Sequence, residues 1–433
     1  MKEDMEMSSY IEEKARSIPV AGQYDVIVCG GGPAGVAAAV AAARGGARTC
    51  LMEWHGCLGG IWTAGALAYI IDGANKTGLL PELLARLDEH QARTGFVCDV
   101  ETTKLVLEQM CEEAGVAVRL HTRIASALTG ADGRLAAIVT ESKSGREAWR
   151  AELFIDATGD GDLAAYAGCG FDIGEEHTGR TQPMSLIALV AGPDNERIPH
   201  FTKPESQSRA NLLAELHRAG FNPSYHRPAL WHIRDGLYIM MANHQYGVSG
   251  LNADDITAAT LAARKELHEM IRALRSLGGV WAELRLVGTG EQIGVREGRR
   301  IHGRYTVSIE DIVAGVRHED GICRVSFKVD VHALDGAKTK VFEGYNDKYV
   351  NMAIPYDIPL RALIAKDVDG LLLAGRCISG DFLAHSSYRV TGNAVQIGQA
   401  AGVLAAAAIR QGVRPQDVAW ENVSAQLAYE PIG

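Results

Sequence analysis

Tyr24 to Gly65 reads YDVIVCGGGPAGVAAAVAAARGGARTCLMEWHGCLGGIWTAG, and this stretch decides the fold. The run Tyr24-Asp25-Val26-Ile27-Val28-Cys29 is apolar and rich in β-branched residues, the pattern of a strand buried in a parallel sheet. Gly30, Gly32 and Gly35 follow as G-x-G-x-x-G. Ala34 to Ala43 is alanine-rich and predicts a helix. A second strand, Arg48 to Met52, ends on Glu53. Gly30 permits a tight turn, Gly32 lets a pyrophosphate approach the backbone, and Gly35 lets the helix pack on the strand. Free N–H groups at the helix N-terminus then hold phosphate charge. Glu53, 18 residues past Gly35, is placed to accept hydrogen bonds from a ribose diol. A bare glycine motif is weak; strand, loop, helix, strand and acid at this spacing predict a dinucleotide site.

The 433 residues are long enough for about three domains, and 47% are apolar, as in a globular protein with a large core. The net charge of −10 (43 basic against 53 acidic residues), with no basic block, disfavours nucleic acid or an anionic membrane as partner. Eight cysteines include no C-x-x-C pair, and small buried thiols are expected. Residues 1–20 are charged and lack the apolar core of a signal peptide. The reading is a cytoplasmic chain acting on a small molecule, with a homo-oligomer or a redox partner left open.

Met1 to Gly22 reads as a short helix or loose arm. Helices are predicted over Leu79–Ala92 and Val100–Ala114, then a strand over Val116–Leu120. Three alternating strands, Arg123–Leu128, Leu135–Thr140 and Ala148–Ile155, form a β-meander. The last runs into Ala157-Thr158-Gly159-Asp160, a second nucleotide-facing edge. Residues from about 175 change character, with most of the histidines and a long helix from Asp254 to Leu277. From Gly370 the first pattern returns, with a buried strand at Leu371–Gly375 and a small-residue helix over Asn393–Ile409. The expected fold is α/β: a Rossmann-like FAD-binding domain, three-layered, with a mainly parallel sheet plus a β-meander. It is split into 20–175 and 341–415 around an inserted α+β substrate domain over 176–340.

GGGPAG with Glu53, CLGGIWTAG (57–65), IDATGDGDLA (155–164), GVREGRRI (294–301) and GRCISGDFLAHSSYRVTGNAVQIGQAAG (375–402) together resemble one family. It is the FAD-dependent oxidoreductase family of the glutathione-reductase-like flavoprotein superfamily, in the branch compared with xanthan lyase and heterodisulfide reductase flavoproteins. The resemblance runs from Tyr24 to Ile409 and implies FAD as cofactor. It implies that Gly30, Gly32, Pro33, Ala34 and Gly35 hold the pyrophosphate and Glu53 the adenosine ribose. Gly59 and Gly60, with Trp62 and Thr63, would pass beside the isoalloxazine; Ile124 would meet adenine, and Ala157, Thr158 and Gly159 would line the same region. Gly392, Asn393 and Ala394 would set a helix N-terminus under the flavin N1/O2 edge, where reduced flavin carries negative charge. Relatives that pass electrons through a disulfide carry a cysteine pair after the first ribose-binding acid. Here Cys57 stands alone, so no redox disulfide is expected, and a small side chain beside the ring outweighs a covalent flavin link.

For catalysis, His385 reads as a loop residue that takes a proton as hydride leaves for flavin N5, against a role in merely orienting its loop. Arg389 pairs with a carboxylate or flavin O4, against an ion pair with Asp381 or Glu297. Arg296, in the run Arg296-Glu297-Gly298-Arg299-Arg300, either anchors two domains or binds an anionic substrate. His244 ends a strand of the insertion and projects toward the cleft. The remaining histidines, His332 among them, lack mutual metal spacing, so no metal site is expected. Leu286 to Gly294 imitates a nicotinamide loop but lacks the following small-residue helix. The expected activity is hydride transfer between flavin N5 and a small, hydroxylated or sugar-like molecule. A flavin monooxygenase is the first rival, its halogenase form weakened by the missing W-x-W-x-I-P stretch; an electron-transfer or FAD-binding subunit is the second.

Overall fold

The strand at Val20–Cys29 is the axis of the molecule, and its last four residues are fully buried. Thr49–Met52 lies parallel on one side in the register Val26↔Thr49, and Ala117–Arg119 extends that edge. On the other side runs Gly145–Asp156, also parallel, with Val26 opposite Leu153. This strand serves two purposes. Its first half pairs antiparallel with Leu135–Ser142, which pairs in turn with Arg123–Thr129. Its second half pairs parallel with Leu371–Leu373, in the register Phe154↔Leu371. The meander therefore leaves the parallel sheet midway along one strand. The computed structural model describes residues 13–335 and 354–427.

Helix Pro33–Arg44 follows the first turn, and helix Thr391–Gln411 packs along it. Small residues set how closely they approach. A Cβ at Gly398 would lie 2.0 Å from the Ala34 carbonyl oxygen, and one at Gly402 2.2 Å from that of Ala38. The long helix is the one among the described residues apolar enough to cross a membrane, yet 94% of its apolar stretch is buried inside the protein.

A second sheet has the strand order Thr202–Lys203, Ala229–Arg234, Leu237–Met241, Ala188–Ala191, Arg285–Thr289. One face carries helix Ala253–Ser276 and a core of its own, with Leu186, Tyr238, Met240, Ala263, Leu267 and Trp281. Asn252 caps this helix by accepting the Asp255 N–H at 3.0 Å. Ile187, Trp231 and Ile239, from the other face, join the first core.

The separate core of the insertion runs from Met184 to Ile293, a narrower span than 176–340. Ile301, Val307, Ile322 and Val325 already belong to the first core. Arg300–Ile301 pairs with Phe171–Asp172, and Gly321–Val325 pairs with Tyr356–Pro359. The expected 340/341 boundary lies outside the described residues, as does most of the N-terminal arm (residues 1–12). Of the nicotinamide-like stretch, Arg285–Thr289 is an edge strand of the second sheet with no helix after it.

Candidate active site

A cavity of about 2120 Å³ lies between the two sheets, and the glycine turn forms one wall. Gly30 has φ +101°, and a Cβ there would come 2.4 Å from the Ala157 carbonyl oxygen. At Gly35 a Cβ would lie 1.7 Å from the Gly30 carbonyl oxygen, so this glycine serves packing and does not line the cavity. Gly32 is different: a Cβ there would meet nothing within 4 Å. It caps helix Pro33–Arg44 without a side-chain hydrogen bond. First-turn N–H donors are therefore free beside an open backbone.

Glu53 is buried on the same wall. Its Oε2 accepts the Gly31 N–H at 2.6 Å and its Oε1 the His55 N–H at 2.8 Å. The carboxylate is thus fixed while lone pairs remain for a diol. Pro33, Ala34, Ile124, Ala157, Thr158 and Gly159 also line this end. Asp156 holds the Thr158 loop, accepting its N–H at 3.0 Å, its hydroxyl at 2.7 Å and the Ala164 N–H at 2.8 Å. Burial raises the Asp156 carboxyl to about 6 despite these bonds. Helix-end amides, an uncluttered glycine backbone and a fixed carboxylate form a donor and acceptor set that fits the pyrophosphate and ribose of FAD.

The helix Thr391–Gln411 brings Thr391 and Ala394 to the cavity, with Val390 as an N-cap that makes no side-chain bond. Gly392 and Asn393 do not line it. The Gly392 N–H donates to the Ile71 carbonyl at 2.9 Å, and a Cβ would lie 2.5 Å from the Asp72 carbonyl oxygen. Gly392 admits a neighbouring backbone and so offers no free amide to a ligand. Asn393 is fully buried, its Oδ1 3.7 Å from the Cys323 sulfur. In the second glycine loop, Gly60 and Ile61 line the cavity, whereas Gly59, Trp62 and Thr63 lie behind it. The Thr63 hydroxyl is spent on the Leu58 carbonyl. Cys57 is buried against Thr63, and burial raises its thiol, so it rests protonated.

At the far end, six segments converge on one polar cluster. Arg296 donates to the Pro183 carbonyl, to Ser185 Oγ at 3.0 Å and toward His244 Nε2 at 3.2 Å. His244 stacks on Tyr225 with ring centroids 4.0 Å apart and meets His332 edge-on at 5.0 Å. Arg389 donates to Gln182 Oε1 at 3.1 Å and to the Asp330 carbonyl at 3.0 Å. The His332 N–H shares that Gln182 oxygen at 2.8 Å, and His332 Nε2 lies 3.4 Å from Asp330 Oδ2. Neither Arg296 nor Arg389 has an ion pair within 4 Å among the described residues. The expected partners of Arg389, Asp381 and Glu297, are thus replaced by neutral oxygens.

Burial, then the Arg296 charge, pushes the His332 imidazole down to about 4. Burial lowers His244 further, with Arg296 adding to it. Both rings are therefore neutral at pH 7. Burial brings the Arg389 guanidinium down to about 10, still charged. Burial alone would raise the Asp330 carboxyl, but the His332 hydrogen bond and the Arg389 charge hold it below its ordinary range.

His385 requires correction. It lies not in a loop but on helix Phe382–Tyr388, where Asp381 caps the chain by accepting the Ala384 N–H at 2.7 Å. All seven residues of that helix are buried, and His385 is not among the cavity-lining residues. Its Nδ1 lies 4.0 Å from Glu297 Oε1. Burial, with Arg389, Arg300 and Arg376 nearby, keeps the ring neutral. Asp330 and Gln182 are not singled out by the sequence, and His332 enters there only among histidines without metal spacing. The only local sign was Asp330-Val331-His332, whose i,i+2 spacing puts acid and imidazole on one side of an extended chain.

The model of the FAD dependent oxidoreductase family matches residues 25–427. The chain belongs to this family: it is an FAD-dependent oxidoreductase, and FAD is its cofactor. Solved structures of similar shape include a geranylgeranyl bacteriochlorophyll reductase-like protein from Thermoplasma acidophilum. It is 14% identical, with 94% of this chain and 82% of that one covered and a TM-score of 0.49. A p-nitrophenol 4-monooxygenase from Pseudomonas putida is 13% identical, with 93% and 84% covered and a TM-score of 0.47. A myxobacterial chondrochloren halogenase is 13% identical, with 94% and 78% covered and a TM-score of 0.45. No curated protein matches significantly.

Proposed function

We propose that the enzyme interconverts a hydroxyl and a carbonyl on a small organic molecule, with the hydride exchanged at flavin N5. The observation that carries this reading is His332, a neutral imidazole backed by Asp330, in the cavity that also contains the dinucleotide turn. FAD supplies the hydride acceptor or donor. The protein's part concerns the proton and the oxygen. A neutral His332 that directs Nε2–H at Asp330 leaves Nδ1 to accept the proton of a substrate hydroxyl. The Arg296 and Arg389 guanidiniums hold the oxygen as negative charge gathers on it. In the reverse direction His332 returns the proton.

The glycine turn with Glu53 and the Ala157-Thr158-Gly159 edge support a place among the glutathione-reductase-like flavoproteins. Eight free, buried cysteines suit a reducing cytoplasm.

Anaerobic titration of the holoenzyme with sugars and hydroxy acids tests the reading. Bleaching of the oxidised-flavin band by such a compound, slowed in His332→Ala with FAD still bound, is the expected result. Bleaching by NADPH alone, or an unchanged rate in His332→Ala, overturns it.

A further inference from the structure

The cavity is larger than a pocket for one drug-sized ligand. Pockets for a drug-sized ligand occupy roughly 300–1,000 Å³, against about 2120 Å³ here. Part of the excess lies along the second sheet, where Lys203, Arg209 and Arg227 line the same cavity. Lys203 is on the short strand Thr202–Lys203, seated opposite Trp231. Arg209 begins helix Ser208–Arg218, and its Nη1 donates weakly to the Tyr225 hydroxyl at 3.4 Å. Its Nε is buried without a hydrogen-bond partner.

Among the described residues none of these three cations has an ion pair. The nearest acid in sequence, Glu205, is engaged by the Ser206 hydroxyl at 3.2 Å and the Gln207 N–H at 3.3 Å. Burial lowers the Lys203 ammonium, and the charges of Arg209 and Arg227 lower it further, with Glu205 opposing them. Like charges gathered on a cavity wall repel and attract an anion. Two guanidiniums and an ammonium offer the forked and point-like donors that suit a phosphate. Tyr225 joins this cluster to the catalytic end, meeting Arg209 through its hydroxyl and His244 through its ring.

We propose that Lys203, Arg209 and Arg227 form a subsite for a phosphate group of a small molecule that exchanges hydride in this cavity. The proposal rests on the reading in the preceding subsection. Two sources share this chemistry: a phosphorylated substrate, and the phosphates of a reduced nicotinamide cofactor serving as hydride donor.

The first test uses inorganic pyrophosphate and the FAD-loaded enzyme in a calorimetric titration. Pyrophosphate should bind wild type, and the pair Lys203→Met/Arg209→Gln should weaken it by about tenfold or more. Equal affinity for wild type and variant overturns the subsite; the FAD absorbance spectrum and melting temperature of the variant show that it has folded. Anaerobic flavin reduction then separates the sources. A raised half-saturating concentration for NADPH in the variant assigns the phosphate to the nicotinamide donor; one for a phosphorylated hydroxy acid assigns it to the substrate. If uncharged hydroxy compounds reduce the flavin and neither phosphate compound responds to the variant, the subsite falls while the oxidoreductase reading stands. If pyrophosphate binds as expected but no hydroxy compound reduces the flavin, the catalytic reading falls instead.

Discussion

His332 Nε2 lies 3.4 Å from Asp330 Oδ2, with one residue between them in the chain. The i,i+2 spacing brings the two side chains together, and the Asp330 carboxylate sets which ring nitrogen carries the proton. The other nitrogen then has a defined role. Asp330→Asn would release that choice of tautomer while keeping the shape. His332→Ala should slow flavin reduction by on the order of 10²–10⁴-fold and Asp330→Asn by a smaller factor in the same direction. Stopped-flow absorbance under anaerobic conditions measures both, and FAD content should stay unchanged.

The His332 shift also sets a pH dependence. Its folded value of about 4 lies below the ordinary imidazole value of 6.5. Between these values the unfolded chain binds more protons than the folded one, so this group's contribution to stability rises with pH across the window. It is fully present above about 6.5 and lost as pH falls toward 4. His332→Gln should therefore lose less stability than wild type between pH 6.5 and pH 4. Denaturant midpoints at several pH values provide the comparison. The variant tracking wild type throughout would remove His332 from the account.

Two glycines in one motif should respond in opposite ways. Gly32→Ala places a methyl where no protein atom lies within 4 Å, on a backbone of φ −70°. Apo-protein stability should hold while FAD affinity falls, because the methyl meets the pyrophosphate. Gly35→Ala forces a methyl to 1.7 Å from the Gly30 carbonyl oxygen. It should cost about 1–3 kcal/mol as helix and turn move apart. Urea unfolding of apo-protein and FAD titration distinguish the two outcomes.

Glu53→Gln keeps the shape but removes the charge that accepts two backbone N–H groups. Charge-assisted bonds of this type are worth about 1.5–3 kcal/mol each. FAD should bind at least tenfold more weakly, and apo stability should fall as well, because one backbone N–H then faces the amide nitrogen. An equilibrium FAD titration of the variant checks the affinity.

The dinucleotide half was legible because its determinants are local: strand, turn, helix and acid sit within 30 residues, from Tyr24 to Glu53. The polar end was not. Gln182, His244, Arg296, His332 and Arg389 come from widely separated segments that meet only in the folded chain. Arg296 and Arg389 were reached through motifs, while His332 had only its neighbour Asp330 to mark it. His385 was misplaced because a stretch between the Leu371 strand and the following long helix reads as a loop. Asp381, an acid directly before Phe382, was the helix-start signal that outweighs it.

The Gly398 and Gly402 seam has a consequence for biosynthesis. Helix Pro33–Arg44, whose N-terminus borders the cavity, has its other side sealed by residues made about 360 positions later. A nascent chain can form the first turn early, but its alanine face stays uncovered until Thr391–Gln411 has left the ribosome. The helix is therefore complete as a packed unit only once Thr391–Gln411 lies against it.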